Sequence, residues 1–184
     1  MLEFSSYTNN MNIIHMIKKN IVLIGFMGSG KSLTSNKLAG TLKRKVFSID
    51  QLIEKREGRM IIEIFKDSGE LYFRKVEKEV IKEVSRQSGI ILDCGGGAVL
   101  DPENMTNLKK NGIVIYLSAS PERIYANIKD QKHRPLLNVE NPQARIAELL
   151  EQRKPYYEQA DVTIDADKPI DQIVEDILEV LGDE

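Results

Sequence analysis

The chain of 184 residues has one cysteine, a formal net charge of −2 and no apolar run of the length a membrane span needs. Each scarcity narrows the possibilities. The lone cysteine, Cys94, cannot build a disulfide framework within the chain and fits a reducing compartment, so the expected location is cytoplasmic. Near-neutral charge gives no field for bulk nucleic-acid binding, although local basic clusters could hold a small anion. The first twenty residues, MLEFSSYTNNMNIIHMIKKN, lack both the layout of a secretory signal and the arginine richness of a transit peptide. Residues 1–15 read as an N-terminal extension, disordered or loosely packed, or as a consequence of start-site choice. Met16 opens MIKKNIVLIGF, a natural lead into a first strand.

What is present is an ordinary globular balance, 41% hydrophobic and 29% charged. Four short, nearly continuous apolar runs read as strands buried on both faces: Ile21–Ile24, Lys45–Ile49, Ile90–Asp93 and Ile113–Leu117. A fifth, Val162–Ile164, is shorter. Helical patterns cover about Lys31–Thr41, Asp50–Glu57, Ile61–Lys66 and Glu70–Ser88. A further helix starts at Ser120-Pro121, where serine caps and proline takes the first helical position. Near the end, Ile170, Ile173, Val174, Ile177, Leu178 and Leu181 form a stripe at helical spacing, suited to packing on a sheet. The alternation predicts a three-layer α/β fold with a parallel sheet. KDQKHRPLLNVENPQ, Lys129 to Gln143, is polar, contains two prolines and reads as a mobile loop.

The most specific signal is Gly25-Phe-Met-Gly-Ser-Gly30-Lys31-Ser32, which follows a strand and opens a helix. Its glycines let backbone N–H groups turn inward on phosphate oxygens, and the helix adds its positive end. Lys31 suits the β- and γ-phosphates, and Ser32 suits Mg²⁺. The expected cofactors are ATP and Mg²⁺, with Gly28, Ser29, Gly30, Lys31, Ser32 and Leu33 at the nucleotide. There is no clear base-reading motif such as Asn-Lys-x-Asp, and the chain is short. Both favour a small-molecule kinase over a GTPase or motor.

Four further stretches follow: FSIDQLIEKREG (Phe47–Gly58), IIEIFKDSGELYFRKVE (Ile61–Glu77), LDCGGGAVL (Leu92–Leu100) and HRPLL with RKPYYEQA (His133–Leu137, Arg153–Ala160). With the phosphate loop, this series resembles the shikimate kinase family over nearly the whole chain after Met16. Gluconate and adenylate kinases share the loop but not this run. The resemblance implies ATP-dependent phosphorylation of the 3-hydroxyl of shikimate, in aromatic amino-acid biosynthesis. It also implies a P-loop kinase fold with a five-stranded parallel sheet, a substrate-binding helical region and a lid. The chain after residue 15, 16–184, is then expected to be a single domain with its lid at about 129–143.

Carried over by position, Asp50 matches the residue at the acceptor hydroxyl, as base or orienting group. Arg74 and Arg153 match a carboxylate clamp, Gly95, Gly96 and Gly97 a substrate-facing loop, and Glu77 a supporting residue. Arg134 matches the lid arginine, placed with Asp50 and Lys31 in the catalytic set and also among the nucleotide-binding residues. Phe65 and Phe73 suit the walls of the substrate pocket, and Cys94 reads as a small buried side chain. A bland reading of Asp50 is that it only caps the following helix.

Two departures stand out. Where the family carries Asp-x-Asp after the second strand, this chain has Ser48-Ile49-Asp50, losing a carboxylate near the metal. Asp93 stands where the family has a small uncharged residue and is expected, with Ser32, to serve the metal in compensation. Ahead of the lid, Asn127 falls where an adenine-stacking arginine is usual, with Arg123 one turn earlier; Lys168-Pro169 could lie along the base. The expected partner is shikimate, without nucleic acid or membrane, and the chain is expected to be a monomer. The alternatives are a kinase of another hydroxy-acid such as gluconate, or an ATP-binding sensor without turnover.

Overall fold

The computed structural model describes residues 19–130 and 139–183. The N-terminal extension and the lid residues His133 and Arg134 lie outside the described residues. The apolar runs become five parallel strands: β1 (Asn20–Ile24), β2 (Val46–Ser48), β3 (Ile91–Asp93), β4 (Gly112–Ser118) and β5 (Val162–Asp165), in spatial order β2-β3-β1-β4-β5. Seven helices among the described residues flank them: α1 (Lys31–Leu42), α2 (Ile49–Glu57), α3 (Ile61–Val84), α4 (Pro102–Lys110), α5 (Pro121–Ile128), α6 (Pro142–Tyr157) and α7 (Ile170–Asp183). A 3₁₀ turn covers Ala98–Leu100.

Strand pleating divides β1 between two cores. Val22 and Ile24 join Leu92 and Val114 beneath α2, α3 and α4. Ile21 and Leu23 join Ile91, Ile113 and Ile115 beneath α1, α5 and α7. Every residue of β1 is buried. A fully buried aliphatic side chain of this kind contributes about 1.5–3 kcal/mol of transfer free energy. Helix α6 crosses between the layers: its Ile146 belongs to one core and its Tyr157 to the other. That crossing carries the C-terminal half of α6 to the glycine segment after β3.

The pattern-based elements fit, with three physical differences. Helix α3 is continuous from Ile61 to Val84 except at Gly69, whose φ of 79° and ψ of 172° break it at the predicted gap. Ser48, not Asp50, caps α2, accepting a bond from the Gln51 N–H at 3.4 Å. Helices α4 and α6 were not anticipated, although both begin with the cap-then-proline signal read at Ser120-Pro121. Asp101 caps Pro102, and Asn141 caps Pro142.

Buried Asn20 stitches the amino end of the sheet. Its amide nitrogen donates to the Gln87 carbonyl at 2.7 Å, and its oxygen accepts from the Ile90 N–H at 3.1 Å. Asn20→Ala strands these buried groups and should lower stability by about 2–4 kcal/mol in urea unfolding; a loss within error of zero would mean water replaces the bonds.

Candidate active site

β1 ends in the glycine-rich turn. Gly28 and Gly30 take φ values of 79° and 90°, the left-handed region that glycine reaches without strain. Space matters as well: a Cβ on Gly28 would meet the Ile128 side chain at 2.7 Å. Lys31 is 8% exposed and folds over the turn, its Nζ donating to the Gly25 and Phe26 carbonyls at 2.9 Å each. Gly30 caps α1 without a side chain, and no acidic residue sits in the first turn. The positive end of α1 therefore meets no competing carboxylate of its own. A cavity of about 360 Å³ opens there, lined by the turn from Gly28 to Thr34, by Arg123 and Asn127 of α5, and by Ala166, Ile170 and Ile173.

The fit to Mg²⁺ rests on one contact. The Ser32 hydroxyl donates to Asp93 Oδ2 at 2.6 Å. Register explains it: Leu23 of β1 pairs with Asp93 of β3, so the end of β3 lies under the start of α1. Ser48 is in register with Asp93 on the other side, but its hydroxyl is engaged at the α2 cap. Hard oxygen donors of this kind suit Mg²⁺, which keeps most of its waters and shares phosphate oxygens instead of sitting in a protein cage. No group of three or more His, Cys, Asp or Glu side chains placed to hold a metal occurs among the described residues.

Beside this lies the glycine segment. Gly96 packs directly on the phosphate loop, where an added Cβ would sit 3.2 Å from the Met27 nitrogen and 3.4 Å from the Gly25 oxygen. A Cβ on Gly95 would approach Asp50 Oδ1 to 2.8 Å and Glu77 Oε1 to 3.5 Å, and one on Gly97 would overlap the Arg74 guanidinium. The three glycines thus leave room that Asp50, Glu77 and Arg74 border. Arg153 closes the far side, with Nη1 3.5 Å from the Gly96 oxygen and its guanidinium 5.4 Å over the Phe26 ring. Phe73 is buried in the core beneath Arg74, and Phe65 is 38% exposed against it at a ring separation of 4.7 Å.

Charge in this half is only partly balanced. Glu77 is 1% exposed; its Oε2 accepts from Arg74 Nη1 at 2.7 Å, while its Oε1 has no hydrogen-bond partner. Burial pushes its carboxyl upward, Arg74 opposes this, and Asp50 and Asp101 add to it. For Arg74, burial pulls the guanidinium down, but Glu77 and Glu70 outweigh it and the net shift is upward. Cys94 is fully buried, and desolvation lifts its thiol well above the usual range, so it is an inert small side chain.

The structure therefore gathers Gly28–Leu33, Asp93, Asp50, Arg74, Glu77, Gly95–Gly97 and Arg153 at the carboxyl ends of β1, β2 and β3. Arg134 lies outside the described residues. Arg123 and Asn127 do line the nucleotide-side cavity, Asn127 donating to the Gly28 carbonyl at 2.8 Å. Lys168 is not among that cavity's lining residues and pairs with Asp176 at 2.7 Å. Sequence reasoning missed Tyr157. Its side chain is fully buried, stacks on Tyr116 at 4.8 Å and donates to the Gly96 carbonyl at 2.7 Å. The signal was its spacing, one helical turn after Arg153, which puts both on one face of α6.

A phosphate loop on the central strand of a β2-β3-β1-β4-β5 parallel sheet, opposed by a bed of arginines and glycines, defines a P-loop small-molecule phosphotransferase. Comparison with known proteins narrows the class. The family model "Shikimate kinase" matches residues 27–182, and the chain belongs to that family. The shikimate kinase of Caldanaerobacter subterraneus subsp. tengcongensis is 48% identical over 161 residues, covering 87% of this chain and 94% of the relative. The structure of shikimate kinase from Acinetobacter baumannii in complex with shikimate superposes with a TM-score of 0.83 at 36% identity, covering 89% of this chain and 92% of that one. A gluconokinase from Sinorhizobium meliloti, at 18% identity, TM-score 0.58 and coverage of 89% and 91%, shares the fold alone.

Burial pushes the Tyr157 phenol up to about 12 from its ordinary 10.0. Above about pH 10 the unfolded chain sheds a proton that the folded chain keeps, so this group's contribution to stability falls as pH rises toward 12. The expected slope is about 1.4 kcal/mol per pH unit. Between about pH 9 and about pH 11 the parent chain should lose about 1.4 kcal/mol more stability in urea unfolding than Tyr157→Phe does; equal losses would contradict it.

Proposed function

We propose that the chain transfers the γ-phosphoryl group of ATP to the 3-hydroxyl of shikimate, acting as a cytoplasmic monomer. The observation that carries this reading is the seating of Gly96 on the phosphate loop. It joins a triphosphate cradle to a pocket bordered by two arginines. No described helix is long and apolar enough to cross a membrane.

In this reading Arg74 and Arg153 take the shikimate carboxylate through planar, paired hydrogen bonds, which fixes the ring's orientation. The glycines from Gly95 to Gly97 let backbone and ring approach closely. The free oxygen of Glu77 accepts from a ring hydroxyl, which satisfies a buried acceptor otherwise left alone. Asp50, exposed in the first turn of α2, aims the reacting hydroxyl. A loose phosphoryl-transfer transition state asks more of positioning and charge than of a strong base. Lys31 leaves its two loop carbonyls to meet phosphate oxygens, and the amides of Gly28 to Leu33 hold the remainder. Magnesium, when bound, neutralises charge on the β- and γ-phosphates. Ser32 and Asp93 would hold it, Asp93 supplying the carboxylate that Ser48 lacks. Arg134 would act from the lid on the transferring phosphoryl group.

The direct test is ADP formation with MgATP and shikimate, with gluconate as control. ADP should appear with shikimate and stay at background with gluconate; binding without turnover on either would reject the reading. Asp93→Asn should raise the Mg²⁺ concentration for half-maximal rate by about tenfold to a hundredfold. If Ser48→Asp in that background restores none of the loss, compensation between the two positions is wrong. Arg153→Lys should raise the shikimate KM by about tenfold and leave the ATP KM unchanged, because an ammonium cannot reproduce the planar fork.

A further inference from the structure

A second cavity, of about 430 Å³, lies at the opposite end of the sheet. It is lined by Lys82 on the last turn of α3, Ser85 and Arg86 just beyond it, Asn107 and Lys110 on α4, and Asn111. Asn111 directly precedes β4, and its neighbour Gly112 is in register with Asn20 at the start of β1. The phosphate loop begins where β1 ends. The two cavities are thus separated by about the length of that five-residue strand, roughly 16 Å at about 3.3 Å per residue.

No carboxylate lines this cavity. Among the described residues, the side chains of Lys82, Arg86 and Lys110 have neither hydrogen bond nor ion pair. Their neighbours on the same helices differ: Lys78 pairs with Asp101 at 2.7 Å, and Lys109 with Asp161 at 2.8 Å. Lys78 and Lys109, which lie outside the cavity lining, are neutralised, and the three cations that line it are not. The conventional account is that cations complement helix C-termini. Two helix ends supply roughly −0.5 each, about one negative charge against three positive ones. That leaves an excess of about two positive charges.

The walls add donors and rigidity. The Asn107 amide nitrogen is buried and has no hydrogen-bond partner. Asn111 is fixed by its bonds to the Gln87 carbonyl at 2.7 Å and to Ser88 at 3.1 Å. Asn20 holds the same Gln87 carbonyl from behind.

We propose that this cavity binds a small soluble polyanion carrying a phosphate group, at a site separate from both substrates. An unpaired guanidinium and two ammonium groups match phosphate oxygens, the guanidinium through two parallel bonds. The volume falls in the range of small-molecule sites, about 300–1,000 Å³. Three unpaired cations gathered in one concavity, on a chain of net charge −2, suit a compact anion better than an extended nucleic acid.

The test uses the full chain and inorganic pyrophosphate without magnesium, read by ¹H–¹⁵N NMR. The Asn107 side-chain amide and Arg86 guanidinium signals report this cavity; the Gly28 and Gly30 amides report the phosphate loop. Saturable shifts at Asn107 and Arg86 that weaken with added salt are expected. In Lys82→Ser/Lys110→Ser, affinity at these signals should fall about tenfold or more, the size of one charge-assisted hydrogen bond. The phosphate-loop shifts should be unchanged, which also shows that the variant is folded. Should the double variant fail to fold, Arg86→Gln is read in the same way through Asn107. Shifts confined to Gly28 and Gly30, non-saturating shifts at Asn107, or equal Asn107 affinity in the variants would each overturn the proposal.

Discussion

The hydrogen bond from Ser32 to Asp93 exists because two buried strands run side by side in the same direction. β1 turns into the phosphate loop and β3 ends in a carboxylate at the same height, with Leu23 opposite Asp93. Parallel pairing aligns carboxyl ends, so the loops leaving neighbouring strands emerge together at one edge of the sheet. Much of the proposed site hangs from that edge. Gly95 follows β3 by two residues, Asp50 follows β2 by two, and α1 leaves the turn after β1. Slipping β3 by one residue would swing Asp93 to the other face and break the pairing that sets the glycine segment against the loop.

The second constraint is the balance of buried charge around Glu77. A carboxylate at 1% exposure is expensive unless it is paired, and Arg74 supplies the pair one turn earlier on the same helix. The pairing leaves one carboxylate oxygen without a partner and keeps the guanidinium beside Gly97. The same arrangement therefore holds Arg74 in place and leaves one buried acceptor oxygen open. Tyr157 serves the other border in the same spirit. By donating to the Gly96 carbonyl it ties α6, and with it Arg153, to the glycine segment.

Much of this was legible in one dimension. The strands were readable because residues enclosed on both faces leave continuous apolar runs, as at Ile21–Ile24. The break in α3 was readable because Gly69 interrupts the pattern. The starts of α4 and α6 were equally readable from Asp101-Pro102 and Asn141-Pro142, but the polar composition around them obscured the signal. The identity of the α2 cap was not readable: Ser48 and Asp50 are both good caps, and the choice follows from where β2 ends. Tyr157 was hidden for another reason. A buried tyrosine on a mostly exposed helix looks like any aromatic until the helix is seen to cross the edge of the sheet.

The sequence by itself determined the features whose physics is local. The phosphate loop is one, since closely spaced glycines, a lysine and a serine at a strand-to-helix junction need no distant contact to define an anion cradle. The central strand and the terminal amphipathic helix are others, because their periodicity records burial directly. Only the tertiary structure decided which distant residues meet. Ser32 and Asp93 are 61 positions apart, and Gly96 and Tyr157 are also 61 apart. Their meeting depends on strand order and on the path of α6, which no local propensity encodes. The same holds for the unmatched cations at the far end of the sheet: Lys82 and Lys110 belong to different helices, and only the packing of α3 against α4 turns two isolated charges into one wall.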